Sequence, residues 1–361
     1  MVIETIQELA AGDTVTTDVR GTGRTAYALE PTTWLKEIND AAQKKLYFKQ
    51  FVYETSVAKG NKDVIIPKRT NYLKSLRSGI TTSDWSIDAA EGTDVVFTKL
   101  NNLDGVQITP LPKNAGVAVA NYALQINSID LIKAAKDELI YHVGDRCDQD
   151  VAYAFATATA ATSSEAGAQT VYGGDARSTS ELAAGDIFTT DMVADAKTKL
   201  QSTVCKYWAP LSPAAEGISS ATKNPWANEP SDPFVLFISS QQENALLKDS
   251  QFTNAAEYGN NEIVMNGEIG KYLGIKVVVT ENTPAFTASE TAFDGATAAV
   301  SGHRCILAKP KKAVALAWGI KPNIMVEDYK SQLEKRVILE MAYGTAVIHS
   351  DAIVFIDVAD N

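Results

Sequence analysis

The sequence predicts an α+β protein in which one very long helix stands between an extended amino-terminal part and a strand-rich carboxyl-terminal part. Apolar residues recur every three or four positions from Ser128 to about Ala160, which is the strongest helix signal in the chain. Short runs rich in β-branched residues fill the last quarter. The chain has 361 residues, of which 45% are hydrophobic, so it is long and apolar enough for two or three core-bearing regions.

The amino-terminal region is predicted to be an arm followed by a helix. Residues 1 to about 30 are polar and rich in Thr, Gly and Ala, and they lack the basic and apolar regions of a signal peptide. After Pro31 a helix is expected, because one stripe of its surface is apolar: Trp34, Leu35, Ile38, Ala42 and Leu46.

Residues 53 to about 120 form an unusual excursion. Strand-like runs at 63–66, 105–108 and 116–119 alternate with polar connections that contain Gly and Thr. The stretch lacks the apolar content for a core of its own, and an isolated hairpin is marginally stable in water. We therefore expect a long two-stranded arm that lies on another subunit.

The long helix is predicted to begin with Ser128 as its N-cap and to run for about 30 residues, or about 45–50 Å. Its buried stripe is expected to consist of Ile129, Ile132, Ala135, Leu139, Val143, Cys147, Val151 and Phe155. A helix of this length exceeds what most globular proteins contain.

The remaining elements follow from shorter patterns. Residues 160–186 and the proline-rich residues 209–233 are predicted to be surface loops, with a helix over about 190–202 between them. A strand is expected at 234–238, and the capping-box pattern Ser240 to Glu243 predicts a short helix. Six closing strands are predicted at 305–307, 313–318, 324–326, 337–341, 346–348 and 353–358.

A glycine-rich stretch raises the possibility of a nucleotide site. Gly267, Gly270 and Gly274 precede the β-branched run from Ile275 to Thr280. In a dinucleotide-binding fold the glycines follow a strand and open a helix, so the order here is reversed. Asn266 with Gly267 predicts a tight turn, and Gly270 and Gly274 are expected at positions of positive φ or close backbone approach.

No catalytic or metal-binding constellation is predicted. The three cysteines, Cys147, Cys205 and Cys305, are widely spaced and read as reduced, mostly buried thiols. His142 lies near Asp145, Asp148 and Asp150, and we interpret this group as a solvated helix face rather than a metal site. The formal net charge of -11 disfavours a basic nucleic-acid-binding face. The sequence therefore predicts a protein that is not an enzyme and holds no cofactor.

Taken in order, the predicted pieces resemble the major capsid proteins of tailed viruses, which have the Hong Kong 97 type of fold. The local motif that carries the resemblance is Asn266-Gly267, then Gly270, then Gly274 leading into an apolar strand, with Pro284 after it. The sub-family that it resembles is that of the short-tailed phages related to coliphage N-four. An encapsulin-type nanocompartment shell with the same fold is the alternative, and an α/β enzyme with a nucleotide cofactor is a remote one.

The resemblance implies a division of the chain. Residues 1–50 would be the N-arm and first helix, 51–120 the E-loop with its flanking strands, and 121–185 the peripheral domain with the spine helix. Residues 186–310 would be the axial domain, whose turn and strand entry include the glycine motif, and 311–361 would return to the peripheral domain. Candidate E-loop contacts with a neighbour are Lys68, Arg69, Arg77, Trp85 and Lys99.

The resemblance also implies partners and a location. Copies of the chain would form hexamers and pentamers in a shell, assembled in the host cytoplasm and found in the virion. A separate scaffolding protein, a portal, a decoration or cement protein and loosely contacted double-stranded DNA are the expected partners, with no membrane. Lysines and asparagines of the excursion match no cross-linking motif, so no covalent cross-linking between subunits is expected.

Overall fold

The computed structural model describes residues 46–69, 103–126, 130–158, 168–206, 233–248 and 270–360. The strands are β1 Tyr53–Ser56, β2 Val64–Arg69, β3 Leu103–Ile108, β4 Leu111–Ala120, β5 Gln169–Tyr172, β6 Val235–Ile238, β7 Lys271–Tyr272, β8 Ile275–Val279, β9 Ala285–Phe286, β10 Gly302–Ala308, β11 Val314–Tyr329, β12 Glu334–Val347 and β13 Ile353–Ala359. The helices are α1 Asn121–Ile126, α2 Leu131–Ala156, α3 Thr190–Lys206 and α4 Ser240–Lys248, with 3₁₀ turns at Phe48–Phe51 and Ser350–Ala352.

The first sheet has four strands in the order β1-β11-β12-β4, and α2 packs on one of its faces. Buried side chains of the sheet, among them Leu316, Trp318 and Leu339, meet the buried stripe of α2. The structure corrects the predicted strands here. The runs at 313–318 and 324–326 belong to the single 16-residue strand β11, and those at 337–341 and 346–348 belong to the 14-residue strand β12. Register shifts between Trp318 and Asn323 absorb the irregular sequence, so pairing continues past it.

The second sheet has seven strands, ordered β5-β13-β10-β6-β8-β7 with β9 beside β10. Its core includes Val193 and Leu200 from α3 and Leu246 from α4. One expectation was wrong here. The predicted loop 160–186 contains β5, which pairs in parallel with β13. Strand β13 pairs with β10 in this sheet and is separate from β11 and β12 of the first sheet. Neither pairing leaves a local signal, because each partner strand lies far away in the sequence.

Helix α2 has 26 residues, which corresponds to about 39 Å. Six positions of the predicted stripe are buried, Ala135, Leu139, Val143, Cys147, Val151 and Phe155, so this face is confirmed. The N-cap is Asp130, whose Oδ1 accepts hydrogen bonds from the backbone N–H groups of Ile132 at 3.2 Å and Lys133 at 3.1 Å. Ser128, the predicted cap, lies outside the described residues, and the helix begins three residues after it.

Helix α4 is capped one residue earlier than predicted. Ser239 accepts a hydrogen bond from the N–H of Gln241 at 3.3 Å, and its hydroxyl donates to the side chain of Gln242. Ser239 and Gln242 are both buried. Ser239 and Gln242 have the Ser-x-x-Gln spacing of a capping box, and they overlap with the predicted box of Ser240 and Glu243. The sequence is compatible with both, and packing determines which one forms.

Cys147 and Cys305 are free and buried, as expected. Burial raises the pKa of the Cys147 thiol to about 11, which makes it a poor nucleophile at neutral pH. Among the described residues, no group of His, Cys, Asp and Glu side chains is placed to hold a metal ion. No helix in the described part of the chain is both long and apolar enough to cross a membrane. The predicted arm, most of the first helix and the proline-rich loop lie outside the described residues.

Candidate assembly surfaces

The described base of the excursion is a two-stranded hairpin. Strands β2 and β3 pair antiparallel from Val64 opposite Ile108 to Arg69 opposite Leu103, so the expected pairing is confirmed over these six residue pairs. The hairpin base packs on the face of the first sheet that α2 leaves free. Ile108 is buried there against Ala315 and Ala317. The excursion therefore starts from a base that is part of the folded core.

A carboxylate braces this hairpin base. Asp63 Oδ2 accepts a hydrogen bond from Gln107 Nε2, and its Oδ1 accepts one from Thr109 Oγ1, both at 2.7 Å. The hydrogen bond from Thr109 is the largest influence on this carboxyl, and with Gln107 and Lys62 it lowers the pKa of Asp63 against the opposing effect of burial. Asp63 is thus ionised at neutral pH, and it ties the start of β2 to the end of β3.

The corner between β3 and β4 lies close above the β11–β12 ribbon. A Cβ on Gly344 would stand 2.7 Å from the backbone oxygen of Thr109, and one on Gly319 would stand 3.0 Å from Pro110. A backbone oxygen cannot turn aside as the end of a flexible side chain can. Gly344 is therefore required for the hairpin base to approach the ribbon this closely.

We expect Gly344→Ala to destabilise the subunit by about 1–3 kcal/mol, because the added methyl group forces the Thr109 corner away from β12. The matched control is Gly185→Ala, since Gly185 is exposed and no described atom lies within 4 Å of a Cβ added there. The midpoint of urea unfolding measures both variants. Equal midpoints for the two would contradict the close approach at Gly344.

The junction that follows the amino-terminal region is held by a buried carboxylate on α2. Asp148 Oδ1 accepts a hydrogen bond from the N–H of Lys49 at 3.1 Å, and the N–H groups of Tyr47 and Phe48 also bind this carboxylate. Asn282 Nδ2 donates to Asp148 Oδ2 at 3.1 Å. Burial raises the pKa of Asp148, and these hydrogen bonds partly offset that effect.

This arrangement corrects the interpretation of residues 142–150 as a solvated face. Asp148 is fully buried, and Asp145 also accepts a hydrogen bond from Asn282 Nδ2 at 3.1 Å. Only His142 is exposed as expected. Asp148 directly follows Cys147 in the buried stripe, and that position could have signalled its burial. Its partners could not have been inferred, because they lie 99 and 134 residues away.

Asp150 attaches the same helix to the first sheet. It forms a salt bridge with Lys113 of β4, and Tyr343 of β12 donates its hydroxyl to Asp150 Oδ2 at 2.6 Å. Arg146 pairs with the other oxygen at 3.2 Å from the next turn of α2. Together these contacts tie α2, β4 and β12 to one another at one point.

The glycine motif is partly described. Gly274 has a φ of 77° and Leu273 a φ of 50°, so these two residues form the turn between β7 and β8. Lys197 of α3 donates to the Leu273 carbonyl at 2.6 Å, and the Leu273 side chain is exposed. No described atom lies within 4 Å of a Cβ added to Gly270, and the expected special conformation at that position stays a prediction. Asn266 and Gly267 lie outside the described residues.

Pro284 and Arg304 connect this region to the end of α2. The Pro284 carbonyl accepts a hydrogen bond from the N–H of Arg304 at 2.8 Å. The Arg304 guanidinium makes a two-point pair with Asp357, with Nε to Oδ1 at 2.8 Å and Nη2 to Oδ2 at 2.6 Å. Its Nη1 donates to the Ala156 carbonyl in the last turn of α2 at 3.0 Å. Both charged side chains are buried, and neither was predicted to be important.

The structure describes only two of the five residues that were predicted to contact a neighbouring subunit. Lys68 and Arg69 lie at the outer end of β2, opposite Asp104 and Leu103 of β3. Arg77, Trp85 and Lys99 lie outside the described residues. Sequence reasoning did not single out a set of exposed apolar side chains towards the far end of the first sheet: Val117, Tyr122, Ile126, Met325, Val326 and Leu333. Alternation within β4 and β11 was a usable signal for part of this set.

Comparisons with known proteins agree with this architecture. Residues 222–360 match the model of a family described as phage capsid protein. No curated protein matches the chain by sequence. Among solved structures, the capsid of cyanophage P-SCSP1u is 15% identical, with a TM-score of 0.66 over 95% of this chain and 97% of that one. The capsid of Ralstonia phage GP4 is 16% identical, with a TM-score of 0.62 over 92% and 96%. The cyanophage Pam1 capsid is 14% identical, with a TM-score of 0.62 over 95% and 100%.

These similarities extend over nearly the whole chain, so its fold is that of phage capsid proteins of the Hong Kong 97 type, and the predicted fold is confirmed. They give no support to the nanocompartment alternative. The narrower resemblance to relatives of coliphage N-four stays a prediction.

Proposed function

We infer that this chain, which has the phage capsid fold and matches the phage capsid protein family over residues 222–360, is the major capsid protein of a phage head. The observation that carries this inference is the fold, which is shared over almost the full length with shell subunits of several phages. Its role is structural: copies assemble into an icosahedral shell that encloses double-stranded DNA.

The hairpin base supports this role physically. It is fixed to the first sheet by Ile108 and braced by Asp63, so a force on the excursion is transmitted to the core. The excursion cannot form a core of its own and needs a neighbour to lie on. Contacts in which one subunit's excursion covers the next are heterologous, and they close into rings. Hexamers and pentamers are the rings that a closed shell requires.

We assign the remaining parts of the chain to the domains that the resemblance to capsid proteins implies, with one change. Residues 51–120 act as the E-loop, α2 as the spine helix, and the sheet of β6, β8 and β10 as the axial domain. Strand β13 belongs with that axial sheet, because it pairs with β10 along its whole length. The turn at Leu273 and Gly274 projects from the axial sheet and is the part that we place at the centre of a capsomer, together with Asn266 and Gly267.

The proposed partners follow from the same role. A separate scaffolding protein, a portal and a decoration or cement protein complete the head, and the shell is assembled in the host cytoplasm. The net charge of -11 suits a shell that contacts packaged DNA loosely, since a strongly basic lining would hold the genome tightly. The function needs no cofactor, catalytic residue or covalent cross-link between subunits.

The test is the size of the purified protein, alone and with the product of any scaffolding gene encoded beside its own. Light scattering and negative-stain microscopy are expected to show closed shells or ring-shaped capsomers. A monomer near 39 kDa under all conditions would count against the proposal. Terminase and portal genes as neighbours would support a phage head, whereas a cargo enzyme gene would favour a nanocompartment.

A further inference from the structure

An apolar groove runs between α2 and the β11–β12 ribbon. Its helix side is formed by Ile140, Val143 and Gly144, and its ribbon side by Trp318, Ile324 and Leu339. The groove has a volume of about 540 Å³. Ile140 is 57% exposed, although it lies on the same face of α2 as the buried Val143. An exposed apolar surface of this kind beside a core is typical of a site to which another segment or partner binds.

The chain that precedes the described residues ends at this groove. Leu46 is the first described residue, and its Cδ1 lies 2.7 Å from the point where a Cβ on Gly144 would stand. The Leu46 side chain therefore occupies the space that a larger residue at position 144 would fill. The 45 residues before it are joined to the described part of the chain at this point.

The direction of the chain at this point is also defined. Leu46 contacts Gly144, and three residues later the N–H of Lys49 binds the side chain of Asp148. The chain thus advances parallel to α2. A helix that continued backwards from Leu46 on this course would bring position 42 one turn, or about 6 Å, earlier and beside Ile140.

The residues before Leu46 have the pattern that such a groove would take. Trp34, Leu35, Ile38 and Ala42 lie on one helical stripe with Leu46. The groove residues of α2, at positions 140, 143, 144 and 147, have the same spacing of three and four. Two stripes with matching periods can interlock, and glycine at 144 allows close approach of the helices.

We propose that residues 31–45 dock as a helix in the groove between α2 and the β11–β12 ribbon of their own subunit. The covalent link through Leu46 decides the subunit, because Ala42 is only four residues away. Docking here fixes the place and direction in which residues 1–30 leave each subunit. The inference concerns the single subunit and does not require that shells form.

A disulfide between two engineered cysteines tests the docking. The variant is Ala42→Cys with Ile140→Cys in a Cys205→Ser background, in which Cys147 and Cys305 remain buried. Oxidation of the unassembled full-length subunit is expected to give one intramolecular bond, seen as a mobility shift without dimers and located by peptide mass mapping. A disulfide-linked dimer, or two free thiols after oxidation, would overturn the proposal.

A proteolysis experiment uses only single substitutions. Ile140→Asp places a charge in the groove, whereas the control His142→Asp places the same charge on an exposed position of α2 outside it. Because cleavage follows the population of the open form, we expect trypsin to cut at Lys36, Lys44 and Lys45 about tenfold faster in Ile140→Asp than in the wild-type protein. The control should stay within about twofold of the wild-type rate, the range of ordinary surface substitutions. Equal rates in the two variants would contradict the docking, even if shells form normally.

Discussion

A subunit in which Asn-Gly replaces residues 70–102 is expected to fold and to fail to form shells. Arg69 and Leu103 are directly opposite in the antiparallel pair of β2 and β3, so a two-residue turn can join them without disturbing the hairpin base. The Asp63 brace and the packing of Ile108 remain intact. What is removed is the part of the excursion that we propose to reach a neighbouring subunit.

The expected loss of shells is large because assembly depends on the surface area that is buried between subunits. If each excursion buries the area of a standard protein interface, losing it reduces the yield of shells about hundredfold or more. Particles are counted by sedimentation and negative-stain microscopy, and the fold is checked by the urea midpoint of the unassembled subunit. The variant Gly185→Ala, prepared in the same way, controls for losses during purification. Normal shells from the shortened subunit would show that residues 70–102 do not carry assembly.

The second large effect is expected at the buried pair of Arg304 and Asp357. Asp357→Asn removes the negative partner and leaves a guanidinium in the core, where Arg304 is only 3% exposed. Breaking a buried pair in this way costs about 3–5 kcal/mol, because the remaining guanidinium then lacks both water and its carboxylate partner. Arg304 also binds the Ala156 carbonyl and lies 4.4 Å from the centre of the Phe355 ring. The loss therefore loosens the contact between the end of α2 and the second sheet.

The urea midpoint of the unassembled subunit measures this loss. The matched control is Asp328→Asn, which removes an exposed partner of Lys335 at 3.6 Å and should cost less than about 1 kcal/mol. A double variant, Arg304→Met with Asp357→Leu, should regain much of the stability lost in Asp357→Asn, since no unpaired charge remains. If Asp357→Asn and Asp328→Asn have the same midpoint, the buried pair is not an important contact.

Some features of the fold follow from local patterns and could be predicted. The stripe on α2 predicts its buried face because every member lies within one helix, and packing acts on that face alone. The amphipathic pattern of Met192, Val193, Ala196 and Leu200 likewise predicts the buried face of α3. The hairpin of β2 and β3 was predicted from two β-rich runs, although only the structure shows its register.

The candidate assembly surfaces were less predictable, because their features depend on contacts between distant segments. Gly344 carries no special backbone conformation, and its role arises only because Thr109 passes over it. The exposed side chains at the far end of the first sheet became a set only when β11 and β12 proved to be continuous.

Local patterns in the sequence were enough to predict the buried stripe of α2, the buried face of α3 and a strand-rich carboxyl-terminal part. These features depend on periodicity, which acts over a few residues. Long-range contacts instead join β13 to β10, bring Asp148 to the N–H of Lys49, and pair Arg304 with Asp357. Each of these contacts joins residues at least 45 positions apart, and a buried polar group acquires its partner only when the chain brings distant segments together.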